Sequence, residues 1–373
     1  MRRVDVAVVG AGPAGLCAAA EAAQHGCEVA LLDENATAGG QLFKQIHKFF
    51  GARAHRAGRR GMDIGAELLD EVAGLGVHVQ LDAPVWGLYE GRTLAVAGRD
   101  HSWRLSAGAI VLATGATENG LSFPGWTLPG VMGAGCAQTM VNVHRVLPGR
   151  RVLIVGSGNV GLIVAYQLLQ ASAEVVAVVD VLPRVGGYPV HAAKIARAGV
   201  PVLTGHTVKE VTGDGFAEEA IAWRVDDGFR GVPGSERTFR VDTVALAVGL
   251  SPMAELAWLA GCRMLYVPEL GGHVPVHDGP LATSVGGVFV AGDVSGVEEA
   301  SSAMEEGRLA GVWAAVAAGR VTDEEAAAAA ESHVAALDGL RSGPYGAHVR
   351  RGPRALAEGA ATAQVQVLGG GGV

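Results

Sequence analysis

Three glycines and a pair of acids carry the first chemical signal in the chain. Gly10, Gly12 and Gly15 form a G-x-G-x-x-G, with Pro13 and Ala14 inside it, straight after an apolar run at residues 4–9. An alanine-rich stretch follows to about residue 25, then a second apolar run at 27–32 that ends in Asp33-Glu34. This order predicts a strand, a turn, a helix and a second strand. Each part has a task at a dinucleotide. Gly10 permits the tight turn, Gly12 lets a pyrophosphate approach the backbone, and Gly15 lets the helix pack against the strand. The free N–H groups and positive dipole end of the helix face the phosphates. The acid after the second strand accepts hydrogen bonds from the adenosine ribose hydroxyls. The bland alternative is a glycine-rich turn that binds nothing.

The pattern recurs. A strand at 151–155 leads into Gly156, Gly158 and Gly161, a second G-x-G-x-x-G with Asn159 and Val160 inside it. A helix to about residue 171 and a strand at 175–179 follow, ending at Asp180. Each unit then continues into alternating apolar segments broken by turn residues. These segments, at 84–105 and 208–240, read as antiparallel meanders. Each meander precedes an apolar strand ending in glycine, 109–113 before Thr114-Gly115 and 243–248 before Gly249. The chain returns at 287–293 and carries no third glycine motif, so the second unit is expected to interrupt the first. The predicted class is α/β, with two Rossmann-like three-layer domains, the second inserted in the first, each with a meander. Expected boundaries are 1–122 with 246–320, 123–245, and a C-terminal helix and flexible or docking tail at 321–373.

Composition narrows the function classes. At 373 residues the chain can bury a large core, and 56 glycines with 49% apolar residues suit a turn-rich α/β protein. A net charge of −8 argues against nucleic acid as a bulk partner. Cys17, Cys27, Cys136 and Cys262 form no C-x-x-C, which predicts neither a disulfide framework nor a metal site and points to a cytoplasmic setting. No unbroken apolar stretch is long enough to span a membrane. Residues 41–61 carry Lys44, Lys48, Arg53, Arg56, Arg59 and Arg60 without an acid. They read as a solvated face or as a cationic patch for an anionic substrate or acidic partner.

In order, the motifs GAGPAG, GGQL, LATGA, GSGNVG, AVG and VFVAGD resemble the two-dinucleotide-domain flavoproteins, the class of thioredoxin reductase, over residues 1 to about 320. The resemblance implies FAD in the first domain. Gly10, Gly12, Pro13, Ala14 and Gly15 would hold its pyrophosphate, and Asp33 and Glu34 its ribose. Gly40 and Gln41 would run past the ribityl and flavin, with Val85, Thr114 and Gly115 nearby. Gly292 and Asp293 would hold the ribityl chain, and the helix start at Ala300-Ser301 would face the pyrimidine end. In the second domain Gly156, Gly158, Asn159, Val160, Asp180 and Gly249 would hold NAD(H). Asp180 favours NAD over NADP because it repels a 2′-phosphate, with Arg184 four residues on; the alternative is a vestigial second site.

FPGWTLPGVMGAGCAQTM, GLSPMAELAWLAGC and TSVGGVFVAGDVSG resemble the FAD- and NAD-binding subunit of heteromeric amine and amino-acid dehydrogenases. These include sarcosine oxidase α, hydrogen cyanide synthase, opine oxidase and dye-linked proline dehydrogenase. Two departures stand out. The chain lacks a cysteine-rich segment after its last helix, and it has Cys136-Ala-Gln-Thr139 where thioredoxin reductases have C-x-x-C. A dithiol relay is thereby excluded, and Cys136 is expected to be a small buried residue. Three functions remain open. One is an oxidoreductase subunit exchanging electrons among NAD(H), FAD, a substrate-oxidising flavoprotein and a small iron–sulfur protein, with an amine or amino acid as substrate. Another is a stand-alone NADH-dependent flavin enzyme, with Gln41 and Lys44 as candidates near the ring. The last is a scaffold with structural FAD. No metal site is expected.

Overall fold

The computed structural model describes residues 2–49, 53–342 and 349–362. Residues 118–250 form one compact unit, and the segments on either side form the other.

In the first unit, β1 (Arg2–Val9) leads into α1 (Pro13–Gln24) and β2 (Val29–Leu32). Next come α2 (Gly61–Gly74) and the strands β3 (His78–Gln80), β4 (Val85–Tyr89), β5 (Thr93–Ala97) and β6 (Ser102–Leu112). The third meander strand and the following buried strand are expected as separate elements, yet they are one. β6 pairs antiparallel with β5 through residues 102–106 and parallel with β1 through 105–112. Side-chain alternation sorts β1 between two cores. Val6 and Val8 meet α1 and α2, while Ala7 and Val9 meet the meander side, with Leu88, Leu94 and Leu105.

A short strand β7 (Ala116–Glu118) crosses into the second unit, which holds β8 (Val131–Gly133), α3 (Ala134–Asn142), β9 (Arg151–Val155), α4 (Asn159–Gln170), β10 (Glu174–Asp180), α5 (Pro189–Arg197) and β11 (Val202–Thr204). Its meander is β12 (His206–Thr212), β13 (Glu219–Arg224) and β14 (Arg237–Arg240), and β15 (Thr243–Leu246) closes the sheet in the order β11-β10-β9-β15-β8. β9 repeats the alternation of β1: Val152 and Ile154 pack on α4, Leu153 and Val155 on the meander.

The chain leaves through β16 (Leu250–Pro252), then α6 (Glu255–Leu259) and the hairpin β17 (Met264–Val267) and β18 (Gly272–Pro275). It rejoins the first sheet as β19 (Val288–Val290), parallel to the C-terminal half of β6. The first parallel sheet therefore runs β3-β2-β1-β6-β19, the same plan as the second, with its outer strand supplied after the insertion. α7 (Ala300–Ala317) lies on α1, where a Cβ on Gly307 or Gly311 would strike the carbonyl of Ala14 or Ala18.

α8 (Asp323–Leu340) starts at a capping box, Thr322 with Glu325. The tail expected to be loose contains a helix, α9 (Arg351–Thr362), whose Leu356 is buried with Val267, Leu270 and Val274. Residues 343–348 and 363–373 of that expected tail lie outside the described residues. Among the described residues no helix is long and apolar enough to cross a membrane.

Candidate functional site

Six motif glycines divide by what a side chain would meet. Gly10 and Gly156 have φ near +100°, and a Cβ on either would enter the carbonyl of Ala113 or Ala247. A Cβ on Gly15 or Gly161 would overlap the carbonyl of Gly10 or Gly156. These four are fixed by turn geometry and close packing. Gly12 and Gly158 are different. Their φ values are −74° and −67°, in extended backbone that any residue adopts. A Cβ on Gly158 would meet nothing within 4 Å, and one on Gly12 only the Gly40 Cα at 3.9 Å. Neither conformation nor packing requires glycine there; the open space above the backbone does. Both residues cap helices, α1 and α4, that lack a side-chain cap, so backbone N–H groups of the first helical turn look into that space. The residues present therefore fit a pyrophosphate in each unit.

The acids sit under the turns. Asp33 Oδ2 accepts the Ala11 N–H at 2.5 Å, and its Oδ1 accepts the N–H and Nδ2 of Asn35. Asp180 Oδ2 accepts both the N–H and the hydroxyl of Ser157 at 2.6 Å, and its Oδ1 accepts the Leu182 N–H at 2.8 Å. Both acids are buried, so their first task is to fix the glycine turn. Glu34 and Arg184 are exposed beside them. Asn159 Oδ1 accepts the Tyr188 N–H at 2.8 Å, while Val160 is exposed.

A further glycine pair shapes each cradle. Gly39-Gly40 closes over the first turn: the Gly39 N–H donates to the Ala11 carbonyl at 2.7 Å, and a Cβ on Gly40 would lie 2.7 Å from the Gly12 Cα. Gly186-Gly187, which belongs to none of the sequence motifs, does the same in the second unit, with the Gly187 N–H donating to the Ser157 carbonyl at 2.8 Å. In each unit the pair stands the same distance past the acid, Asp33 or Asp180. That spacing is the sequence signal that could have found it.

Gly292 packs closely on the first turn of α1, where a Cβ would lie 2.8 Å from that of Ala14. Burial pushes the neighbouring Asp293 carboxyl up to about 7; the Glu298 N–H lowers it, and Glu306, Glu298 and Glu299 raise it. Ala300 and Ser301 open α7, which also lacks a side-chain cap. Gln41 is exposed and Lys44 half-buried in the 3-10 turn Gly40–Lys44. The Thr114 hydroxyl donates to the Met253 carbonyl at 2.6 Å, while the Met253 N–H donates to the Gly115 carbonyl. Val85 packs with the meander core. Gly249 is held by Asn119, whose N–H donates to its carbonyl at 3.0 Å.

Two expectations are corrected. Cys136 is exposed on α3, not buried, because it lies on the outer face of a short helix whose Ala134 and Ala137 point inward. The other cysteines are buried, and burial pushes Cys17 up to about 12 and Cys27 up to about 11. Native protein treated with iodoacetamide at about pH 8 should take one label, at Cys136, and further labels only on unfolding. Rapid labelling of a second thiol in the native protein would contradict that burial.

The acid-free window 41–61 is not an open cationic patch, because its acids arrive from elsewhere in the chain. Arg56 pairs with Glu67 and Glu71, Arg59 pairs with Glu67, and His55 Nε2 lies 3.4 Å from Glu305. Burial works to raise the Glu305 carboxyl, yet His333, Arg308 and His55 hold it below the usual range. Lys48, Arg53 and Arg60 remain exposed; residues 50–52 lie outside the described residues. Among the described residues no group of His, Cys, Asp and Glu could hold a metal ion.

Two α/β units, the second inserted in the first and each with a glycine turn at a helix N-terminus, define a two-dinucleotide-fold architecture. The chain belongs to the pyridine nucleotide-disulphide oxidoreductase family, whose pattern matches residues 4–307. It is an FAD-dependent, pyridine-nucleotide-binding member of that family that has no C-x-x-C pair. It is 32% identical over 337 residues to an opine oxidase subunit from Agrobacterium tumefaciens (strain Ach5), covering 83% of this chain and 65% of that one. It is 32% identical over 340 residues to the sarcosine oxidase alpha subunit from Corynebacterium sp. (strain P-1), covering 84% of this chain and 33% of that one. The chain thus spans less than two thirds of either relative. Among solved structures it is similar to L-proline dehydrogenase from P. horikoshii (TM-score 0.63, 25% identity, 84% of this chain and 55% of that one). The fold also matches T. acidophilum thioredoxin reductase (TM-score 0.68, 24% identity, 85% of this chain and 99% of that one).

Proposed function

We propose that the chain is the FAD- and NAD(H)-handling subunit of an amine or amino-acid dehydrogenase complex. It exchanges electrons with a separate substrate-oxidising flavoprotein and with a small iron–sulfur protein in the cytoplasm. The observation that carries this reading is the pair of open cradles over Gly12 and Gly158 in a chain with no dithiol to receive electrons. Similarity to proteins named as subunits of opine and sarcosine oxidases supports the choice of complex.

When bound, FAD supplies a two-electron centre between the pyridine nucleotide and the partners. The α1 N-terminus would hold its pyrophosphate, Asp33 and Glu34 its ribose and Asp293 its ribityl hydroxyls, with the start of α7 placed for the pyrimidine end. Gln41 and Lys44 are candidates to orient what lies beside the ring. In the second unit the α4 N-terminus at Gly158 would hold the NAD(H) phosphates. Asp180 disfavours a 2′-phosphate there, and its grip on Ser157 means that Asp180→Ala should weaken both NADH and NADPH. The exposed Lys48, Arg53 and Arg60 remain a candidate docking face for an acidic partner.

The test is native purification with identification of cofactor and co-purifying subunits, followed by anaerobic flavin reduction with NADH and with NADPH. Bound FAD, faster reduction by NADH and stoichiometric partner subunits are expected. A colourless protein that takes up no FAD would sink the reading. Full turnover on a small acceptor without any partner would favour a stand-alone enzyme. Bound FAD that neither coenzyme reduces would favour a scaffold.

A further inference from the structure

Charged groups gather behind the Gly292–Asp293 turn. Glu306 of α7 is buried; its Oε2 accepts the Gly292 N–H at 2.9 Å and the Ser295 hydroxyl at 3.0 Å. Its Oε1 meets Arg341 at 2.5 Å. Arg341, at the C-terminal end of α8, also donates from Nε to both oxygens of Glu298, at 3.1 and 3.2 Å. The Glu298 N–H reaches Asp293 Oδ1 at 3.3 Å. One guanidinium therefore ends two arms, and both lead to the same turn.

Glu298 and Glu306 share one arginine, Arg341, while Asp293 is tied to that pair through the Glu298 N–H. Burial pushes the Glu298 carboxyl up, Glu306 pushes it further, and Arg341 opposes both. Burial works against the charge of Arg341, but Glu306 and Glu298 hold its pKa above the usual range. Removing one member of a buried pair leaves the other uncompensated, which costs far more than the pair contributes. A guanidinium suits this place because its planar fork serves two carboxylates at once. Arg341 also lies beyond residues 4–307, where the family pattern matches.

We propose that Arg341 is a positioning residue for FAD: by clamping Glu298 and Glu306 it sets the Gly292–Asp293 turn that presents Asp293 to the cofactor. This rests on the assignment of FAD to the first unit.

The experiment titrates FAD into apoprotein by flavin fluorescence and follows apoprotein melting in parallel. It compares wild type, Arg341→Met, Arg341→Lys and the double variant Arg341→Met/Glu298→Gln. Arg320→Met, which breaks a surface pair with Asp5, is the control. Arg341→Met should weaken FAD binding by about tenfold or more, the scale of losing hydrogen bonds to charged groups. Arg341→Lys should fall between it and wild type. Glu298→Gln, in the double variant, should recover most of the loss, because it removes one of the two opposed carboxylates. Arg320→Met should leave FAD affinity unchanged. If Arg341→Met does not fold, the lysine and double variants decide the matter. FAD binding by Arg341→Met within about twofold of wild type would overturn the proposal, as would a double variant no better than the single one. Wild-type apoprotein that takes up no FAD would instead overturn the cofactor assignment.

Discussion

Gly12→Ala should leave a folded apoprotein that no longer holds FAD. The added methyl meets only the Gly40 Cα at 3.9 Å, an ordinary contact, and φ at this position is −74°. Apoprotein stability should therefore change by no more than about 1 kcal/mol, the scale of replacing glycine by alanine at a helix N-cap. The same methyl stands where the pyrophosphate must approach the α1 N-terminus. Moving a doubly charged group out of range of those N–H donors should weaken FAD by roughly a hundredfold or more, about 3 kcal/mol. Gly158→Ala applies the argument to the second unit: FAD is retained and reduction by NADH is lost. Gly15→Ala is the contrast, since its methyl would overlap the Gly10 carbonyl and should damage the fold itself. The three proteins separate by melting temperature and flavin content. Wild-type FAD affinity in Gly12→Ala would show that no phosphate lies over that residue.

Much of this was legible because it rests on local rules. A G-x-G-x-x-G after an apolar strand has few other uses, and its recurrence with helix, strand and meander in the same order revealed the second unit. The two parallel sheets follow from those repeats. What could not be read was set by contacts between distant segments. The window 41–61 looks acid-free in sequence, yet Glu67, Glu71 and Glu305 fold against it. Cys136 sits in a helix too short for periodicity to reveal which face is inside. Asp33 and Asp180 could be placed at the ends of β2 and β10, but their grip on Ala11 and Ser157 depends on turn geometry. Arg341 carries no motif at all. Its place follows from where α8 lies on α7.

The second large effect concerns pH and Asp293. Burial raises its carboxyl from 3.8 to about 7, with neighbouring glutamates adding to the shift. The sign follows from linkage. In the unfolded chain the group ionises near its ordinary value, while in the fold it ionises only near 7. The folded state therefore loses stability as pH rises from about 4 through 7, and the cost is constant above that. At about 1.4 kcal/mol per pH unit the full cost is of order 2–4 kcal/mol. Asp293→Asn removes the ionisation and keeps an oxygen to accept the Glu298 N–H. The apoprotein of this variant should melt several degrees above wild type near pH 8 and at the same temperature as wild type near pH 4. FAD should reverse the wild-type penalty. A ribityl hydroxyl that donates to Asp293 favours the carboxylate, so wild-type FAD affinity should rise between about pH 6 and 8, while that of Asp293→Asn should stay flat. Melting curves of both apoproteins and FAD titrations across this range provide the measurement. A melting difference that does not change with pH would show that Asp293 is ionised throughout. Equal FAD slopes in the two proteins would remove Asp293 from the cofactor site.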